Sequence, residues 1–300
     1  MQRRTFLRNT TLSAGFLALP NKDLLMKYFG QQAFKITPLR NNISIFTEKG
    51  GTIAFLLNKD GIAVVDAQFP DQANHLIGEL KKQSDKPIEV LINTHHHGDH
   101  TAGNIAFKGL ARNVLAHSNS KANQERVAKE QKKEDQQLYP DQVFGDVWST
   151  KYAKEKITLH YFGAGHTNGD ALVQFNHANI VHLGDLLFNR RHPFIDRSAG
   201  ANIKSWIAVL ERAMKEFDNK TIYIYGHAAD GYDVTGNVDD LKAFRDYLGN
   251  LLKFTESEMK SGKSREEILK ATSIPGSPEW KGDGIERPLQ AAFEELTPNT

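Results

Sequence analysis

Within the run Thr94-His95-His96-His97-Gly98-Asp99-His100, imidazole nitrogens and a carboxylate oxygen lie close enough in sequence to hold metal. His95, His97 and His100 offer nitrogen and Asp99 offers oxygen, the ligand types that suit zinc. In an extended loop alternate residues share a side, so His95, His97 and Asp99 point into one cavity while His96 points away. His100 comes at the turn into a helix and reaches a second position beside the first. The competing reading is a polar loop with a fortuitous histidine cluster. The spacing, directly after an apolar strand, argues for the ligand site.

The elements that must position this run are readable on either side of it. Glu89-Val90-Leu91-Ile92-Asn93 is a strand, and Thr101-Ala102-Gly103-Asn104 opens a helix. A buried strand that ends in a polar loop before a helix is where α/β proteins place their chemistry. Upstream, Asn42 to Asp66 holds meandering strands with turns at Glu48-Lys49-Gly50-Gly51 and Asn58-Lys59-Asp60-Gly61. Asp66 closes the last of them, with a structural role in hydrogen-bonding a loop. Residues 71–84 show helical spacing of Ala73, Leu76, Ile77 and Leu80. Strands are expected at 113–117, 157–162, 171–175, 180–185 and 221–225. Helices are expected at 203–217, 238–260, 264–272 and 287–296, with Ser264 and Glu267 forming a capping box. Residues 119–138 are strongly polar and read as a solvated surface helix; the functional alternative is a flap over the metal cleft.

The stretch His-x-His-x-Asp-His resembles the signature of the metallo-β-lactamase-fold superfamily of hydrolases. Gly165-His166-Thr167-Asn168-Gly169-Asp170, Asp185 at the end of a strand, and Gly226-His227 after a late strand resemble its remaining ligand elements. The resemblance covers about residues 40–250. It implies an α+β fold, a four-layer αββα sandwich with C-terminal helices. The expected organisation is a domain over 33–252 and a helical extension over 253–300 packed on it. By the same resemblance His95, His97 and His166 bind one metal, Asp99, His100 and His227 the other, and Asp185 bridges, with Thr167 and Asp170 orienting ligands from behind. Two divalent ions are implied, zinc foremost, although a set of nitrogen and oxygen ligands also suits iron or manganese.

The chemistry implied is that of a dinuclear zinc-dependent hydrolase. A metal-bridging hydroxide attacks a carbonyl (ester, lactone, thioester or amide) of a small molecule, and Asp99 serves as the catalytic residue that orients it. Arg190 or Arg191 would grip an anionic substrate group, and Asn202 would line the substrate cleft. Alternatives are an exported β-lactamase, a phosphodiesterase, or a non-catalytic metal-binding or diiron redox protein on the same fold. Asp185 stands where one group of true β-lactamases has cysteine. Redox relatives with two irons usually carry an acid where His97 stands. Tyr225 precedes the Gly226-His227 pair, where the family usually has proline.

Composition bounds the rest. The 300 residues are 39% hydrophobic and 25% charged, ordinary for a soluble globular chain, and contain no cysteine. Disulfides and thiolate ligands are thereby excluded. The formal charge of +2 misleads, because Arg3, Arg4 and Arg8 fall in the first twenty residues, where there is no acid. Taking those three from the 38 basic residues leaves 35 against 36 acids, which gives no electrostatic case for nucleic acid or an anionic membrane. Arg3-Arg4-Thr5-Phe6-Leu7-Arg8, followed by the apolar Leu12 to Leu19, resembles a twin-arginine export signal over residues 1–20. The apolar stretch is too short to span a bilayer, which needs about 20 residues. The expected location is periplasmic or otherwise exported, or cytoplasmic if residues 1–20 are not a signal.

Overall fold

Apolar runs too continuous for a one-faced strand become strands covered on both sides. The computed structural model of the chain describes residues 34–297; the expected export signal lies outside them. β1 (Lys35–Pro38), β2 (Ile43–Thr47), β3 (Ile53–Asn58), β4 (Gly61–Val65), β5 (Ile88–Asn93), β6 (Val114–His117) and β7 (Gln142–Phe144) form one sheet in sequential order. Each of β1 to β4 runs antiparallel to the next of these four; β4 to β7 are parallel. The second sheet is ordered β15 (Thr235–Gly236), β13 (Ile222–Ile224), β11 (Ile180–His182), β10 (Leu172–Phe175), β9 (Glu155–His160) and β8 (Val147–Tyr152). β12 (Phe188–Asn189) and β14 (His227–Ala228) form a separate parallel pair.

Side-chain alternation sorts the apolar residues into three cores. Ala54, Leu56, Ala63, Val65, Val90 and Ile92 meet Ile157, Leu159, Val173, Phe175 and Ile224 between the sheets. The alternate residues Phe55, Ile62, Val64 and Leu91 pack outward against Ala73, Leu76, Ile77 and Leu80 of α1 (Pro70–Gln83). On the far side, Leu172, Val181 and Tyr223 pack against α4 (Ile203–Glu216), α5 (Val238–Lys260) and α7 (Glu286–Leu296). The layers are therefore helix, sheet, sheet, helix. The intervening helices are α2 (Gly98–Thr101), α3 (Ser118–Gln131) and α6 (Arg265–Ile268).

α5 passes through residues 252–253 without a break, and Ile268, Ile274, Trp280 and Leu289 share a core with Trp206 and Phe244. The segment after 252 thus belongs to the outer helical layer itself. The capping box at Ser264 and Glu267 is present, but the helix it opens ends at Ile268. α3 departs from a fully solvated surface helix. It exposes Lys129 and Glu130 yet buries Ser120, Asn123 and Gln124, because Asn119 and Asn123 donate to Asn168 at 2.8 and 2.9 Å. β1, β7 and β8 lie in segments whose polarity hid them from the apolar-run criterion. No described helix is long and apolar enough to cross a membrane.

Candidate metal centre

The chemistry collects where β4, β5, β11 and β13 end. β4 ends before Asp66, whose backbone is left-handed at φ 66°, a conformation that costs a non-glycine residue of order 1 kcal/mol or more. Its side chain offsets that cost. One carboxylate oxygen accepts from the Thr94 backbone N–H at 2.8 Å, and the other accepts from Thr94 Oγ1 at 2.8 Å and faces His100 Nδ1 at 2.7 Å. Asp66 thereby ties the end of β4 to the histidine loop after β5. The segment 180–185 does not continue as a strand to Asp185. β11 stops at His182, and Gly184 turns the chain at φ 52° into a 3-10 turn that carries Asp185. His182 faces away, its ring between Thr52 O and the Gly184 N–H.

Two clusters abut at Asp185. In the first, His97 Nδ1 lies 3.1 Å from His95 Nε2 and 2.8 Å from His166 Nε2, and Asp185 Oδ2 is 3.8 Å from His95 and 3.4 Å from His166. In the second, Asp99 Oδ2 lies 3.0 Å from His227 Nε2 and 3.8 Å from His100 Nε2, and Asp185 Oδ1 is 3.0 Å from His100 and 3.5 Å from His227. Asp185 presents one oxygen to each cluster.

These residues fit metal. Zinc–nitrogen bonds of about 2.0–2.1 Å at tetrahedral angles place ligand atoms about 3.3 Å apart, within the range seen. His100 Nε2 and Asp185 Oδ1 are buried and only 3.0 Å apart, yet neither has a hydrogen-bond partner. Buried polar atoms left this way cost free energy unless something else satisfies them.

The other nitrogen of several ligands is held. His97 Nε2 meets Asp196 Oδ2 at 2.9 Å, His166 Nδ1 donates to Phe194 O at 2.7 Å, and His95 Nδ1 meets Thr94 Oγ1 at 3.0 Å. Such contacts fix the tautomer and ring orientation and raise ligand basicity. Asp196 is fixed in turn, its Oδ1 accepting from Ser198 Oγ and the Ala199 N–H. Nothing in the sequence marked Asp196. It belongs to no motif, and its partner is 99 residues away. Its one local signal is the Asp-x-Ser turn that caps 197–199.

Backbone closeness shapes the second cluster. A Cβ on Gly51 would lie 2.1 Å from the His100 ring, and one on Gly226 would lie 1.9 Å from Asp185 Oδ1. His227 stacks on Phe188 at 5.5 Å between centroids, across the β12–β14 pair. Thr167 and Asp170 touch no ligand atom. Asp170 accepts from the Thr167 N–H and Oγ1 and so braces the turn that carries His166; burial pushes its pKa up to about 7.

Charge differs between the clusters. Burial holds His95 well below its ordinary value and His166 down to about 3, with His97 adding to the latter effect. Burial also acts against a charged His100, but the carboxylates of Asp185 and Asp66 outweigh it and hold its pKa well above the ordinary value. Burial would raise Asp99, but the contact with His227 lowers it to about 2.

The expected substrate residues make contacts of their own. Arg190 pairs with Asp240 at 2.7 Å and Glu279 at 3.1 Å and stacks over Tyr232 and Trp280. Arg191 is exposed. Asn202 caps α4, its side chain accepting from the Ser205 N–H at 2.7 Å. Tyr225, in place of proline, donates to Asp240 at 2.9 Å.

A family model described as the metallo-beta-lactamase superfamily matches residues 47–227. Metallo-beta-lactamase type 2 of Bacillus cereus is 25% identical over 205 residues, covering 65% of this chain and 77% of its own. The protein of that name from Bacillus sp. (strain 170) matches to the same extent. Among solved structures, a metallo-beta-lactamase from Pontibacter korlensis superposes with a TM-score of 0.62 at 18% identity, covering 72% of this chain and 99% of that one. The metallo-beta-lactamase IND-7 gives 0.59 at 20% identity, over 73% and 99%.

Proposed function

Because the chain belongs to the metallo-β-lactamase superfamily, we propose that it is a dinuclear, zinc-dependent hydrolase cleaving an ester, lactone, thioester or amide of a small molecule. The observation that carries the proposal is Asp185. Its two oxygens divide between two clusters of ligand atoms, the arrangement a bridging carboxylate needs. His95, His97 and His166 would hold one divalent ion, and Asp99, His100 and His227 the other. Bound there, the ions would lower the pKa of water toward neutrality and polarise the scissile carbonyl.

The protein's own groups do the rest. Asp99 is the acid that solvent reaches, with 31% of its side chain exposed against 5% for Asp185. It orients the attacking water and carries its proton at Oδ1, while Oδ2 stays in the cluster. Asp196, Thr94 and the Phe194 carbonyl keep the three imidazoles of the first cluster aimed.

Metal content of the protein purified without added metal, with turnover of ester, lactone, thioester, β-lactam and phosphodiester substrates on the same sample, tests the proposal. Two zinc ions per chain and carbonyl hydrolysis abolished by a chelator support it. No bound metal, or iron without hydrolysis, overturns it. β-Lactam hydrolysis is the second reading, favoured by the names of the similar proteins; selective turnover of the β-lactam would establish it. Export is a separate proposal, supported by the paired arginines before Phe6-Leu7 and the absence of cysteine. Cell fractionation with Arg3 and Arg4 replaced by lysine tests it; an unchanged distribution rejects it.

A further inference from the structure

Beside the metal-ligand loop lies a cavity of about 640 Å³ whose walls include His96 and Gly98, the residues on either side of His97. It is a separate space from the clusters themselves, since none of the seven ligand side chains lines it. Its size falls in the range of small-molecule sites, roughly 300–1,000 Å³. The inner wall is apolar. Phe69, at the start of α1, Ile105, after α2, and Val127 and Ala128, on α3, all face it. Phe69, Ile105 and Val127 are only half-buried, so packing within the chain leaves their apolar surface incompletely covered. The polar lining is mostly uncharged amide, from Gln131, Gln136 and Gln137. Its two charged groups, Lys133 and Asp135, are exposed and opposite in sign. His96 is 95% buried, since its relative exposure is 5%. Its Nδ1 has no hydrogen-bond partner, and its Nε2 lies 3.5 Å from Asp196 Oδ2.

We infer that this cavity is the substrate-specificity subsite of the proposed hydrolase and takes an uncharged, apolar group of the substrate, from either its acyl or its alcohol side. The inference rests on the hydrolase reading for its location beside the reacting bond. Three observations carry it: the shared wall with the ligand loop, the incompletely covered apolar side chains, and the absence of any buried charge among the lining residues that would select an ionic group. A long apolar chain placed there leaves water, at roughly 0.8 kcal/mol per methylene.

Two ester series on the metal-loaded protein read this out. One lengthens the acyl chain from acetyl to octanoyl on a fixed alcohol; the other lengthens the alcohol of a fixed acetate. In one of them kcat/KM should rise at least tenfold from the shortest to the longest member, and the series that rises identifies which side enters. Val127→Trp should abolish that rise while leaving metal content and acetyl-ester turnover within about twofold. Gln136→Trp, at an exposed rim position, provides the same reading should Val127→Trp fail to fold. Calorimetric titration with 1-octanol gives a measure independent of turnover: binding to the wild type, weakened at least tenfold in either variant. Octanol binding without turnover of any ester, lactone, thioester or amide would sink the hydrolase reading and keep the cavity's assignment as an apolar site. Ester turnover with no chain-length dependence, or with the same dependence in both variants, would overturn the inference and leave the hydrolase standing.

Discussion

The two halves of the metal centre share Asp185 and little else. The first is made of three imidazoles, each braced through its second ring nitrogen by Thr94, Asp196 or the Phe194 carbonyl. His95 and His166 are wholly enclosed, and burial keeps them neutral. The second half mixes a carboxylate with two imidazoles. Asp99 and His227 retain 31% and 12% of their side-chain exposure, and the acids around His100 raise its pKa well above the ordinary value. In one half, burial lowers the pKa of His95 and His166 and so favours the neutral form that binds a cation. In the other, two ligands are partly exposed and the neighbouring acids favour a proton on His100. On the proposed reading, the former would hold its ion more tightly and the latter would be the side that meets solvent and substrate.

The sharpest way to break this contrast is at Asp99. Replacement by asparagine keeps the size of the side chain but removes the proton carrier, and should cost roughly 10²–10⁴ in turnover. The ion in the first half should stay bound, as metal analysis would show. Equal turnover would reject the role of Asp99. Next in size is Asp196→Asn. Loss of the carboxylate behind His97 should weaken metal affinity in the first half by roughly 10–100-fold, leaving the second half unchanged; competition with a chromophoric chelator reads both. A loss shared equally by the two halves would mean that they do not act separately.

The pH dependence is a third separation. The pKa of His100 is raised in the folded, metal-free protein. Its contribution to stability is therefore fully present below the unfolded value of about 6.5 and is lost as pH rises through the folded value. Metal entering the second half must expel that proton, so affinity there should climb with pH, by up to about tenfold per unit for one proton. Affinity in the first half, where burial has already removed the protons from His95 and His166, should climb less. Titrations on either side of neutrality, with proton release followed in parallel, would check the order. The smallest effect is expected at Asn202. Asn202→Ala should cost about 1 kcal/mol of stability through the lost cap on α4, seen as a lower Tm with unchanged metal affinity in both halves.

What sequence could show of this centre follows the same divide between local and distant causes. His95, His97, Asp99 and His100 lie in one loop after one strand, and His166 and His227 each follow a glycine at a strand end, so local pattern suffices to single them out. Asp196 acts across 99 residues of chain, and no pattern near it names its partner. Arg190 shows the converse. A pair of arginines after the bridging acid reads as a clamp, but Asp240 and Glu279, brought in by the helical layer, pair with the first of them. The apolar runs of β3, β4 and β5 are covered on both faces and so are legible as strands. β8 alternates exposed and half-buried residues at the edge of its sheet, and its polarity conceals it. The buried polar face of α3 is similarly hidden, because its asparagines are satisfied by Asn168, a residue of the His166 loop.

The glycines that crowd the second half have an evolutionary consequence. Gly51 and Gly226 contribute only backbone, Gly51 donating to Asp99 O and Gly226 accepting from Thr52, yet any side chain at either would occupy the place of His100 or of the Asp185 carboxylate. On the inferred role of the cavity, a drifting lineage could exchange the cavity-lining residues one at a time and so change what the protein accepts. It has no such freedom at these two positions, where the smallest step, to alanine, collides with a ligand. In a scan of all single replacements they should therefore tolerate as little as the histidines, and the line between a variable pocket and an invariant centre would run along bare backbone.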